Sequence, residues 1–428
     1  MPDVAQQRAD AVERLLAVLG VGSTATADLD GLIAPGWRNR ELLGVATEMM
    51  TFLAAGLEAP PIGPLDGGEH VSIPLRGADG RGATCTIDFD APDASSIRRF
   101  GVVPDLRHGL SVRDLAVGDA AALRRLELAA PIERSGGTKV VVDHEGSELQ
   151  RAALVPRLRI LGVFDGPAIV AVQTTSSARA PIGGVERIVA FNRGSRTDPA
   201  SRRAGHFQQL ITRLYTELFA DIDQWVSLVD PRNEVGLAVS GGEPWPNPVD
   251  RLFLPVERLA ARRHGAVAMP LDHDHVADLL NQTHDGLALH RRRSRTDVAA
   301  RLSAAPRFYG PDDVAVTDGA LVGTWPTVEV RTYEHDGATS VRRIVPLVDI
   351  GCAGPAAHGE LVDLLAGAAV RSAPLGATHL AVWVGAGDER LAWLHELADH
   401  VDRYVVCAPV LASVPAPVEP VYVDPLRL

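Results

Sequence analysis

Ser195-Arg-Thr-Asp-Pro-Ala-Ser-Arg-Arg-Ala-Gly-His-Phe207 is the stretch that decides how this chain is read. Upstream of it, Val185–Arg193 reads as a β-strand. Downstream, Phe207, Leu210, Ile211, Leu214, Tyr215, Leu218 and Phe219 recur at i, i+3, i+4 and i+7, which predicts an amphipathic helix. A strand that turns through Arg202-Arg-Ala-Gly205 into a helix aims free backbone N–H groups and the positive helix end at one point. Such a point suits a pyrophosphate. Gly205 lets the phosphates approach the backbone with no side chain in the way. A solvated helix start has the same composition, so the flanking elements carry the decision.

The layout resembles the acyl-CoA-binding turn of the GCN5-related N-acetyltransferases, Arg/Gln-x-x-Gly-x-Gly/Ala at a helix start, often after Pro. Pro199, Arg202, Gly205 and Phe207 fill those places, with Phe207 departing from the family's small residue. The resemblance implies that acetyl-CoA or another acyl-CoA is bound by Arg202, Arg203, Ala204, Gly205, His206 and Phe207. Their backbone N–H groups would hold the phosphates, and the two arginines would add charge. It also implies a binding role for Asn233, which matches the family's Asn after the fifth strand. Phe207 lies on the apolar stripe, so its ring is expected to turn into the core.

Composition excludes several classes. A net charge of −12 over 428 residues disfavours nonspecific nucleic-acid binding, which needs clustered Lys and Arg. Cys85, Cys352 and Cys407 are too few and too scattered for a disulfide framework or a zinc site. The chain opens on a charged helical segment, and no apolar run reaches membrane length. The expectation is a soluble cytoplasmic protein with a small-molecule acceptor as partner, no nucleic acid and no membrane, and with a homodimer left open.

The predicted fold class is α/β in the α+β sense: an N-terminal α+β domain followed by two mixed-sheet domains. In residues 1–108, helices Ala5–Leu19 and Arg38–Leu57 precede strands Val71–Arg76, Ala83–Phe89 and Ser96–Val103. That order resembles the cone of the ketosteroid isomerase and nuclear transport factor group, in which Asp88, Asp90 and Arg98 could face a pocket or the unit could serve only for docking. Residues 109–264 carry the motif, with a hairpin at Asp165-Gly166 and a buried strand at Trp225–Val229. Residues 265–428 repeat the plan. A hairpin forms at Asp318-Gly319, strand Val341–Ile350 enters a turn, helix Gly359–Val370 follows, and strand Thr378–Val384, helix Asp388–His400 and strand Tyr404–Ala408 complete it. Two matching orders suggest a tandem duplication. The second turn, Gly351 to Gly359, has no Arg, and Pro355 removes an N–H donor. This half reads as a degenerate copy.

Acyl transfer from a thioester needs an amine that loses a proton, a donor for the oxyanion, and in some cases a proton for the leaving thiolate. The resemblance implies a backbone N–H at a bulge of the fourth strand as oxyanion donor. Glu186, which opens the strand before the turn, is the candidate base. The family's Tyr is missing between Asn233 and Ser240, which leaves Ser240 or water as acid and Tyr404 as a distant reserve. Asp272-His-Asp-His275, with His284 and His290 downstream, reads as a helix N-cap and polar first turn before it reads as a metal site. Arg291–Arg295 reads as a solvated loop, or, if it faces the cleft between the halves, as a site for an acidic substrate or the CoA ribose phosphate. No nucleophile elbow is present. The reading is acyl-CoA-dependent acylation of a small-molecule amine or hydroxyl. The alternatives are a non-catalytic CoA- or ligand-binding protein and a different reaction on a CoA thioester, such as decarboxylation.

Overall fold

The computed structural model describes residues 4–20, 51, 54–65, 70–78, 82–89, 96–105, 109–145, 147–202, 206–218, 222–240, 243–262, 265, 268–409 and 414–425. At the N-terminus, helix α1 (Val4–Val18) buries Val12, Leu15 and Leu16. It shares a core with a four-stranded antiparallel meander, β1 (Leu57–Glu58), β2 (His70–Gly77), β3 (Gly82–Phe89) and β4 (Ile97–Pro104), in the order β1-β2-β3-β4. Ala83, Cys85, Ile87 and Phe89 of β3 alternate into that core, as a half-buried strand requires. Most of the expected helix Arg38–Leu57, together with Asp90, lies outside the described residues. Asp88 meets His70 across the strand pair at 2.6 Å, and Arg98 is exposed.

The first half begins with β5 (Leu110–Asp114), helix α2 (Ala120–Ala129), β6 (Ile132–Glu133), β7 (Lys139–Asp143) and the short helix α3 (Arg151–Leu154). Strands β8 (Leu158–Asp165), β9 (Ala168–Ile182) and β10 (Val185–Thr197) form a meander. Helix α4 (His206–Leu218), β11 (Gln224–Val229), α5 (Glu234–Ser240) and β12 (Glu243–Pro244) follow. The meander has an apolar layer on each face. Ile160, Phe164 and Val172 pack under Leu123 and Leu126 of α2, whereas Leu161, Val163 and Ala171 pack under Leu210 and Leu214 of α4.

The second half contains β13 (Val249–Pro255), α6 (Val256–Ala260), α7 (His273–His284), α8 (Arg295–Ala304), β14 (Val314–Val316), β15 (Ala320–Thr324) and β16 (Glu329–His335). It ends with β17 (Ala338–Cys352), α9 (His358–Ser372), β18 (His379–Gly385) and β19 (His400–Ala408). Its layers match those of the first half. Val345 and Leu347 of β17 pack with α9, and Val348 packs with α7 and α8.

The two halves match in spacing. β10 pairs with β11 in parallel from Val189 opposite Gln224, and β17 pairs with β18 in parallel from Ile344 opposite His379, 35 positions apart in both cases. Both entering strands also slip register just beyond the parallel pairs, between Arg193 and Arg196 in β10 and where β17 passes Gly323 and Thr324 of β15.

The halves exchange strands. The large sheet runs β5-β8-β9-β10-β11-β19-β13-β18-β17-β16-β7-β6, with β12 on β19 and with β14 and β15 attached at β17. β19, the last strand in sequence, thus lies beside β11 of the first half, and β7 of the first half extends the second at β16. The fold is mixed α/β, as expected. Several elements differ from the expectation, β7, β13 and α8 among them, which had no counterpart in it. Asp388–His400 is not an α-helix; a 3₁₀ segment covers Ala392–Glu396, and β19 already starts at His400. The physical reason is periodic: the buried leucines, Leu391, Leu394 and Leu397, are spaced by three rather than 3.6. The β16 strand, which turns into β17 at Asp336-Gly337, had no counterpart in the sequence reading.

Candidate functional site

β10 and β11 stay hydrogen-bonded through Asn192 opposite Ser227 and then part. β10 continues along β9 with a bulge: Arg193 faces Thr174 and Arg196 faces Val172, so Gly194 and Ser195 stand out of register. Gly194 takes φ +63°, a conformation that suits glycine in a bulge. Gln173 fixes the bulge by donating from Nε2 to the Arg193 carbonyl at 3.2 Å and accepting from the Ser195 hydroxyl. Beside the point where the strands part lies a small cavity of about 20 Å³, room for a water. Phe191, Asn192, Val226, Ser227 and Leu228 line it on the strand side, and Val406, Leu289 and the segment Tyr422–Asp424 close it from the second half. Asn192 is held by the Thr175 hydroxyl, which donates to its Oδ1 at 2.8 Å.

The turn that follows β10 leads to the N-terminus of α4. Asp198 accepts from the Ala200 N–H at 2.9 Å, and Pro199–Ser201 forms a 3₁₀ turn. Arg202 is exposed and paired with Glu133 at 3.0 Å. Arg203, Ala204 and Gly205 lie outside the described residues. His206, the first residue of α4, is buried. Phe207 is half-buried rather than turned fully into the core; Leu210 and Leu214, both wholly buried, carry the apolar side of the helix.

The corresponding turn of the second half is built differently. Pro355–Ala357 forms the 3₁₀ step before α9, and Glu360 in the first turn of α9 accepts from the Gly319 N–H at 3.1 Å. A carboxylate therefore already stands where the helix N-terminus would attract a phosphate.

The candidate catalytic residues are not brought together. Glu186 is exposed near the β9–β10 hairpin, paired with Arg179 at 2.9 Å and opposite Pro181. It is six residues before Asn192, roughly 20 Å along the strand at about 3.3 Å per residue. The general-base assignment is corrected on that ground. Asn233 is an N-cap: its Oδ1 accepts from the Gly236 N–H at 2.9 Å at the start of α5. Ser240 ends α5, donates to the Leu237 carbonyl at 2.8 Å and contacts the Cys407 thiol, one strand removed from the opening. Tyr404 accepts from Arg331 at 3.0 Å and is half-buried. Asp272 caps α7 by accepting from the Asp274 N–H at 3.0 Å, and His275 bonds the Thr317 carbonyl at 2.8 Å. Arg293 departs from the solvated loop expected of Arg291–Arg295. It turns inward and donates to Asp349 at 2.8 Å and to the Tyr422 hydroxyl at 3.1 Å.

Tyr422 and Asp424 line the cavity, and the sequence reading passed over both. They sit on an aperiodic segment held by long-range bonds: Tyr422 N–H to the Ala288 carbonyl, and Ala288 N–H to the Pro420 carbonyl. Burial pushes the Tyr422 hydroxyl up to about 12, so it keeps its proton. Asp424 is paired with Arg301 at 3.1 Å and Arg293 at 3.5 Å. Behind Tyr422, the rings of His284 and His290 lie 4.5 and 4.9 Å from the tyrosine ring. Burial, with the Arg293 charge nearby, holds His290 down to about 4; burial and His290 hold His284 well below its usual range.

No protein-family profile matches the chain, and no curated protein matches it. Solved structures of similar shape include Saccharomyces cerevisiae N-myristoyltransferase with bound myristoyl-CoA (TM-score 0.49, 11% identity, 71% of this chain and 81% of that one). A tandem GNAT protein from the clavulanic acid biosynthesis pathway gives a TM-score of 0.43 at 14% identity over 70% of this chain and 98% of its own. A GCN5-related N-acetyltransferase from Kribbella flavida gives 0.38 at 16% over 69% and 70%. None of these likenesses is close enough to fix the activity of this chain. Among the described residues, no helix is long and apolar enough to cross a membrane.

Proposed function

We propose that this chain transfers an acyl group from acetyl-CoA or another acyl-CoA to a small-molecule amine or hydroxyl, with the reaction centred where β10 and β11 part. The observation that carries the reading is the parting itself. A strand with a bulge and a helix N-terminus at its far end together offer an extended edge and a phosphate site, with a small cavity marking the gap between the strands. The donor supplies an activated thioester. The turn Arg202–Phe207 would hold its pyrophosphate, and the free edge of β10 would pair with its amide-bearing arm.

The bulge N–H groups of Gly194 and Ser195 are off the β9 ladder and serve as oxyanion donors. Tyr422 acts as a hydrogen-bond donor rather than as the missing tyrosine's proton donor, and the thiolate leaves without a proton from it. Its oxygen accepts from Arg293, which leaves its own O–H to donate into the cavity, and its raised pKa keeps that proton in place. Asp424, committed to two arginines, is not the base. The acceptor therefore reacts as the neutral nucleophile and loses its proton to water. The second half, with Glu360 and Pro355 at its turn, holds no donor and instead closes the cavity of the first. The N-terminal unit reads as a packing module, with Asp88 taken up by His70.

The test is release of free thiol from acetyl-CoA over a panel of amines and alcohols. Turnover supports the reading. Binding without turnover would favour a non-catalytic acyl-CoA-binding protein, to which the paired state of Asp424 also lends weight.

A further inference from the structure

We propose that Arg151, Arg193, Arg196, Glu148, Trp325 and Arg251 enclose a binding site for an oxyanion group, carboxylate or phosphate, carried by the acyl acceptor. The site lies between the halves. Glu148 and Arg151 come from the segment at α3, Arg193 and Arg196 from the parted end of β10, and Trp325 and Arg251 from the second half beyond β15 and on β13. Its identity as an acceptor site rests on the acyl-transfer reading; its affinity for anions does not.

The first argument is unmet hydrogen bonding. Arg151 is buried, with its guanidinium over the Trp325 ring at 4.6 Å; its Nε stands 3.5 Å from Glu148, and its Nη1 has no hydrogen-bond partner. The same holds for Trp325 Nε1, Arg251 Nε and Arg193 Nε. These are all donors, and buried donors are ordinarily matched by acceptors. Glu148 is the carboxylate at hand, and its oxygens stand in ion-pair contact without meeting these donors in hydrogen-bond geometry.

Charge gives the second argument. Arg151 and Arg193 share one carboxylate, Glu148, at 3.5 and 2.5 Å. Arg196 donates only to the Ser195 carbonyl and has no carboxylate partner among the described residues. Glu329, which also acts on Arg151, is already shared by Arg251 and Arg331. With Glu127, which faces Arg196 and also pairs with His144, three guanidinium groups stand against two carboxylates, an excess of one positive charge in a buried cluster. Uncompensated buried charge is costly, and an arriving oxyanion would relieve it while meeting guanidinium forks that fit its geometry. Placement agrees as well. Arg193 directly follows Asn192 of the cavity, so the anion site and the cavity lie at the same level of β10. Arg196 and Tyr404 are half-buried and form the approach.

Isothermal titration of the full chain with succinate and, separately, with inorganic phosphate tests this at ionic strength matched with sodium chloride. Saturable binding of either anion at one site per chain is expected, weakened at least tenfold in Arg196→Gln and in Arg151→Met. Succinate as the tighter probe would mark carboxylate acceptors, and phosphate would mark phosphorylated ones. Arg196 has no carboxylate partner to lose, so Arg196→Gln alone decides if Arg151→Met fails to fold. Failure of both anions to bind would mean that ordered water meets these donors and would overturn the proposal, as would unchanged affinity in the folded variants. Acetyl-CoA titrated into the same samples separates the two readings: anion binding without acetyl-CoA binding keeps this site and removes the acyl-transfer function.

Discussion

Tyr422 and His290 show how single groups on the C-terminal side of the cavity shape it. Tyr422→Phe removes one donor and leaves the ring in place, so turnover should fall by about 10²-fold, the scale of a lost oxyanion donor, with acetyl-CoA affinity unchanged. Steady-state thiol release beside calorimetry checks this, and unchanged turnover would remove Tyr422 from the chemistry. His290 gives a stability prediction. Its imidazole is held down to about 4, whereas an unfolded histidine titrates near 6.5. Below pH 6.5 the unfolded chain binds the proton first. The stability due to His290 is therefore fully present above that pH and declines toward pH 4, by on the order of 3 kcal/mol in all. Denaturant midpoints followed from pH 7 to 4 should fall less steeply in His290→Gln than in the parent. Equal slopes would contradict the assignment.

At the scale of elements, the two strand–turn–helix units are the same device with different endings. The α4 turn offers Arg202 and, in sequence, Arg203 and Gly205, whereas the α9 turn carries Pro355 and the Glu360 carboxylate. Gly205→Glu should abolish acetyl-CoA binding. Gly359→Glu should leave it unchanged, because a Cβ at Gly359 meets nothing within 4 Å. Binding that survives the first and vanishes with the second would reverse the assignment. These units were legible in the sequence because their signals are local: the apolar stripe from Phe207 onward, the Asp165-Gly166 and Asp318-Gly319 turns, and the equal distances from turn to following strand. Glu186 was misread for the same reason. Its strand was right, but a sequence does not say where along a strand two neighbours part. The expected helix Asp388–His400 spans Leu391, Leu394 and Leu397, whose spacing of three belongs to a 3₁₀ turn.

Over the whole molecule, the decisive contacts are those with the largest sequence separation. β19 lies between β11 and β13, β7 extends the sheet at β16, and Tyr422 closes a cavity opened by Asn192. None of these leaves a periodic trace in the sequence, so strand exchange and the C-terminal wall of the site were not legible. Exchange makes each half incomplete alone. Residues 109–425 should unfold in one transition, with tryptophan fluorescence and far-UV circular dichroism coincident in urea. A fragment of residues 109–264, lacking β19 beside β11, should not give a folded spectrum. Two separated transitions would mean that the halves are independent. The central claim, that the opening between β10 and β11 and the turn before α4 bind an acyl-CoA, is tested most directly by calorimetric titration of acetyl-CoA into the full chain and its Gly205→Glu variant. The account predicts one site per chain in the parent and none in the variant. No binding in the parent, two sites, or binding that survives the substitution would contradict it.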